Sequence, residues 1–129
     1  MSERRLIRTF DTGAKRDSSE GKYEYARFMD SRVIKRYAAF MHKNRLLPSG
    51  ELREPDNWKK GIPAESFVDS LVRHTQDIWE IHQHGHSLRP ETNEEVDHEE
   101  ALCAVIFNAM GRLFLLLEEK EREAQGWIV

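Results

Sequence analysis

The chain has 129 residues, of which 33% are charged and 39% hydrophobic. That is enough apolar material for one modest core, and it is not the low-hydrophobicity composition of a disordered segment. Its 20 basic and 23 acidic side chains leave a formal net charge of -3. There is thus no broad basic field, and a nucleic-acid polymer is not an expected partner. The single cysteine, Cys103, sits in an apolar run. It excludes an intrachain disulfide framework and reads as a small buried hydrophobe in a reducing, cytoplasmic setting. The opening residues, MSERRLIRTFDTG, lack the apolar core of a secretory signal. The longest apolar stretch, 102–117, is interrupted by Asn108, Gly111 and Arg112 and reads as too short and too polar for a membrane span.

Residues 1–24 are polar, with Gly13 and Gly21 marking turns and no helical stripe. They are expected to form an arm ahead of one helical domain over 25–129. From Tyr25 to Asn44, Phe28, Val33, Tyr37, Phe40 and Met41 recur at spacings of three to five, which predicts a helix. Residues 46–64 carry Pro48, Gly50, Pro55, Gly61 and Pro63 and read as a long loop of the kind that often carries function. A second helix is expected from Pro63 or Ala64 to about Gln83, with Phe67, Val68, Leu71, Val72, His74 or Thr75, Ile78, Trp79 and Ile81 on its apolar side and Gly85 ending it. A third is expected to begin between Asn93 and Val96, with Thr92 or Asn93 and Glu95 as a capping arrangement, and to reach about Ala124. Its stripe is Leu102, Val105, Ile106, Ala109, Leu113, Leu116 and Leu117, wide enough that two chains are expected to complete one core. With no strand pattern, the fold class is all-α, a helical bundle.

The second helix carries Asp77 and Glu80; Asp97 and Glu100 are placed on the third. Each pair is spaced i, i+3 and shares one face. Antiparallel packing would bring the four carboxylates together, where their repulsion favours a hard divalent cation, Mg²⁺ or Mn²⁺. In a chain this rich in charge, such pairs also arise as solvated helix faces. His74, one turn before Asp77, suits a structural histidine, a partner to a ligating carboxylate or a contact to a base. The alternating His82, His84 and His86 match no standard zinc spacing and read as solvated.

Two loop segments combine glycine with basic residues and suit phosphate: Gly13 to Lys22, with Arg16 and Lys22, and Asn57 to Gly61, with Lys59. Neither is a Walker loop. Trp58, in a polar loop, suits either a cap on the core or a stacking surface for a base.

The succession GAKRDSSEGKYEY at 13–25, NWKKGIP at 57–63 and DSLVRH at 69–74 resembles the phage-associated dATP/dGTP diphosphohydrolases, a family of the MazG-like all-α nucleoside triphosphate pyrophosphohydrolases. The resemblance spans roughly residues 12–118. It implies Mg²⁺-dependent hydrolysis of a purine deoxynucleoside triphosphate to the monophosphate and pyrophosphate, in a homodimer or homotetramer in the cytoplasm, the host's if the chain is phage-encoded. It implies metal ligands at Asp77, Glu80, Asp97 and Glu100. Two departures from the family pattern are visible: Asp at position 77 where Glu is usual, and a longer connection, HQHGHSLRPETNEE, which makes Glu94 or Glu95 alternative ligands.

In that scheme Asp77 takes the proton of the attacking water and Glu80 acts with it. Arg16, Lys22 and Lys59 neutralise phosphate charge, Trp58 or His74 contacts the base, Asn57 binds the substrate, and Asn108 bonds the sugar or a ligand carboxylate. The competing reading is a non-catalytic helical module that binds a partner or a nucleotide. A histidine–aspartate phosphohydrolase is disfavoured, since Val96-Asp97-His98 has the reverse order and no His-Asp dipeptide occurs.

Overall fold

A computed structural model describes residues 7–126. The chain divides into two compact units, residues 1–33 and 34–129. The expected packing role of the Trp-Ile-Val tail falls on 127–129, outside the described residues.

The first unit corrects the expectation of an arm without strands. Strand β1 (Ile7–Thr9) pairs antiparallel with β2 (Lys15–Asp17), in the register Ile7 to Asp17, Arg8 to Arg16 and Thr9 to Lys15. The turn closes through Gly13, whose φ of 85° lies in the left-handed region open to glycine. Three-residue strands give too short an alternation to register as a pattern. The helix expected from Tyr25 is likewise divided. Tyr25–Phe28 forms a 3-10 turn, and α1 (Ser31–Lys43) starts only after Asp30. The Asp30 carboxylate accepts from the Arg32 backbone N–H at 2.8 Å, satisfying one of the donors a helix start leaves open. The Arg32 guanidinium holds the Asp30 carboxyl below its usual range.

The second unit is built on α2 (Ala64–His84) and α3 (His98–Ala124). The protein is thus mainly helical with one small sheet, the coarse form of the all-α expectation. Pro63 precedes α2 and Gly85, at φ 84°, terminates it, both as expected. The start of α3 is later than expected, and its cap is neither Thr92 nor Asn93. Asp97 is the N-cap, and its Oδ1 accepts from the Glu100 N–H at 2.9 Å. Asp97 therefore sits at the helix mouth rather than on its face.

The buried line of α3 also differs from the expected one. Leu102, Leu113 and Leu117 are exposed, whereas Ala101, Ala104, Asn108 and Gly111 are buried. Their spacing of three, four and three makes a single stripe of small side chains. Small residues let α2 come close, and Phe67, 2% exposed, fills the space over Gly111. Phe67 meets Phe107 edge-on at 5.9 Å, and Phe107 and Phe114 meet Trp58 at 6.4 and 5.0 Å. Trp58 thus caps this cluster, one of its two expected roles. Each such pair contributes about 0.5–1.5 kcal/mol beyond area burial. Cys103 is buried as expected, and burial pushes its thiol up.

The span expectation needs correction too. By length and composition α3 qualifies as a membrane-crossing helix, although core helices pass the same test.

A Cβ on Gly111 would fall inside contact distance of the Phe67 ring. Gly111→Ala is therefore expected to cost about 1–3 kcal/mol of overpacking, offset by up to ~1 kcal/mol of helix propensity. In chemical denaturation the Phe67→Leu background should shrink that cost. Equal costs in both backgrounds would refute the contact.

Candidate functional site

Two cavities adjoin on the second unit. The smaller, about 300 Å³, is lined by Asp77 of α2, by Asp97 and Glu100 at the start of α3, and by Lys43 and Arg89. The larger, about 640 Å³, is lined by Met41, Asn57, Trp58, Ile62, Phe107 and Asn108, with Arg45 and Arg53 at its polar side. Phe40, Asn44, His74 and Ala104 line both.

The connection after α2, expected to be loop, folds back on itself. Val96 N–H donates to the Ser87 carbonyl and Arg89 N–H to that of Glu94, each at 2.8 Å, with a Leu88 to Glu95 bridge between. Asn93 turns the chain at φ 62°. This closure buries Ser87 to 1% exposure beneath the acids of α2. Its hydroxyl lies 3.0 Å from Asp77 Oδ1 and 3.4 Å from Glu80 Oε2. One hydroxyl has one proton for two carboxylates. The pair is therefore short of positive charge, and a cation would relieve it.

The other two acids each have one oxygen engaged. Asp97 Oδ1 caps α3, and Glu100 Oε1 accepts from Lys43 Nζ at 2.5 Å. Arg36 reaches Glu99 at 2.7 Å and Asp97 at 3.8 Å. Acids at a helix N-terminus also interact favourably with the helix dipole, so part of this clustering has a structural cause.

Three of the four expected ligands, Asp77, Asp97 and Glu100, thus face one cavity, and Glu80 joins them through Ser87. They do not form a ready cage. Among the described residues, no three His, Cys, Asp or Glu side chains lie close enough together to hold a metal ion as they stand. The donor chemistry still fits a hard divalent cation, since Asp77, Asp97 and Glu100 line one cavity and each keeps a carboxylate oxygen unspent. The alternatives Glu94 and Glu95 lie exposed on the hairpin and line neither cavity. His82, His84 and His86 are exposed, as expected.

No protein-family model, curated protein or solved structure matches the chain.

His74 stands between the cavities. Its Nδ1 is 4.0 Å from Asp77 Oδ2, beyond hydrogen-bond reach. Burial holds its pKa below the ordinary 6.5 and outweighs the opposing charge of Asp77; Arg73 and Arg89 push the same way as burial. His74 is accordingly a neutral imidazole near neutral pH, able both to donate and to accept.

The phosphate candidates are dispersed. Arg16 and Lys22 belong to the first unit, on β2 and the turn after it, and both are exposed. Lys59 lines neither cavity; its ammonium lies 5.4 Å from the Trp58 ring centroid, a cation–π arrangement. Lys43 and Arg89 stand at the acidic cavity instead. Sequence reasoning missed both, together with Ser87, because neither their types nor their spacing set them apart from a solvated surface. The one available signal was Lys43 at the last turn of a helix ending in a polar loop.

A neutral His74 makes stability depend on pH in one direction. Its folded pKa is depressed, so its contribution is full above pH 6.5 and is lost as pH falls below that value. The melting temperature of the wild type should fall between pH 6.5 and 5 more steeply than that of His74→Gln. Parallel curves would contradict the burial of a neutral imidazole.

Proposed function

We propose that this chain is a Mg²⁺-dependent pyrophosphohydrolase of purine deoxynucleoside triphosphates. The observation that carries the reading is the junction of an acid-lined cavity with a larger aromatic-lined one through Phe40, Asn44, His74 and Ala104. A nucleotide needs such a junction, with carboxylates and cationic side chains at the phosphates and flat apolar walls at the base.

Asp97 and Glu100, through their free oxygens, and Asp77 would hold the cation, with Glu80 positioned by Ser87. When bound, the cation neutralises phosphate oxygens and makes water a better nucleophile. Asp77 is the base that takes the proton as the water oxygen bonds to the α-phosphorus and the bond to the bridging oxygen breaks, releasing pyrophosphate. Lys43 exchanges its bond to Glu100 for one to a phosphate oxygen, and Arg89 supports the same charge. The ion pair released is an exposed one of small worth, so the exchange costs little. Trp58, Asn57 and Asn108 contact the nucleoside.

A second reading, a helical interaction module, draws on the exposed line of Leu102, Ile106, Leu113 and Leu117 along α3. The same line suits the homodimer or homotetramer expected with the enzyme, so it does not separate the two.

Incubation with dATP or dGTP and Mg²⁺ should release pyrophosphate and the monophosphate. Asp77→Asn should lower the rate by roughly 10²–10⁴-fold. Mg²⁺ should raise the melting temperature, because a ligand bound only to the native state stabilises it. All eight common nucleoside triphosphates left intact, with no shift in melting, would favour the interaction module.

A further inference from the structure

Asn108 is 5% exposed, on the buried stripe of α3 and in the wall of the larger cavity. Its Nδ2 donates to the Ala104 carbonyl one turn back, at 2.8 Å. That bond sets the orientation of the amide, since the reverse would oppose two acceptors. Oδ1 is therefore the end left over; it accepts from no donor among the described residues and, since no fully buried side-chain acceptor there lacks a partner, it stays open to solvent at the cavity wall.

Arg45 Nε donates to the Arg53 carbonyl at 2.7 Å, and Arg53 Nη1 to the Asn44 carbonyl at 2.8 Å. A ligand that displaces solvent from this Asn108 acceptor without supplying a donor leaves it buried and unpaired, so a ligand that supplies one gains selectivity. The surrounding walls, Trp58, Phe107 and Phe40, suit a flat ring system.

We propose that Asn108 Oδ1 selects a purine base that carries an exocyclic amine, accepting a hydrogen bond from that amine. The inference rests on the nucleotide reading of this site and adds the basis of its selectivity. Discrimination then comes from a missing hydrogen bond rather than from size. An analogue without the amine leaves Oδ1 buried and unpaired, at a cost of roughly tenfold in affinity.

Calorimetry with monophosphates and without divalent metal tests this apart from any hydrolysis. Deoxyadenosine monophosphate is compared with its purine analogue lacking the 6-amine, and deoxyguanosine monophosphate with deoxyinosine monophosphate, which lacks the 2-amine. In at least one pair the amine-bearing member should bind roughly tenfold more tightly. Asn108→Leu, of similar size, should abolish that preference while its melting curve shows it folded. Equal affinities within both pairs, no binding by any of the four, or a preference that survives in Asn108→Leu would overturn the proposal. The wild-type comparison stands if the variant does not fold. Pyrophosphate release from dATP by the same wild-type preparation separates the outcomes. Release without amine preference sinks the Asn108 proposal alone; amine preference without release sinks the catalytic reading alone.

Discussion

The close approach of α2 and α3 is the constraint on which the rest of the second unit depends. It is set by what α3 lacks: Ala101, Ala104 and Gly111 present little or no side chain where α2 crosses, and Phe67 fills the gap over Gly111. The same stripe also carries one polar group into the core. Asn108 occupies that position, with half of its amide satisfied by its own helix. The antiparallel pairing also carries the C-terminal half of α2 to the mouth of α3, so Asp77 and Glu80 meet the level of Asp97 and Glu100. The chemistry of the site is thus a consequence of the packing.

Electrostatics refines this picture. Four acids gathered at one end of a helix pair would repel each other if nothing answered them. The protein supplies three partial answers. Asp97 spends one oxygen on the helix cap, Glu100 takes the Lys43 ammonium, and Asp77 and Glu80 share the Ser87 hydroxyl. Each answer leaves a carboxylate oxygen over. An arrangement with spare acceptor capacity beside a cavity is what separates a ligand site from a self-satisfied network. Burial of a neutral His74 at the boundary works in the same sense, since an imidazolium there would compete with any incoming cation.

Much of the helical architecture was legible in the sequence. The bounds of α2 follow from Pro63, Gly85 and a sustained apolar period, and the end of α3 from its loss of period. The legibility failed where local chemistry outweighed pattern. Asp30 restarts a helix that apolar spacing alone would begin at Tyr25, and Asp97 caps one that Thr92 and Asn93 also offer to cap. The larger error concerns the face of α3. Large side chains dominate a hydrophobic stripe, so Leu102, Leu113 and Leu117 drew attention, yet close packing selected the small residues between them. At the candidate site, the i, i+3 spacing of the acids picked out Asp77, Asp97 and Glu100, which line one cavity. The partners that give it shape, Ser87, Lys43 and Arg89, are distinguished only by tertiary position.

The most direct test is a crystal structure with Mn²⁺ and a non-hydrolysable dATP analogue, read by anomalous scattering. The account predicts a manganese peak among Asp77, Asp97 and Glu100, with the triphosphate beside it and the base in the cavity walled by Trp58 and Asn108. A peak at His82, His84 and His86, or a nucleotide seated outside both cavities, would contradict it.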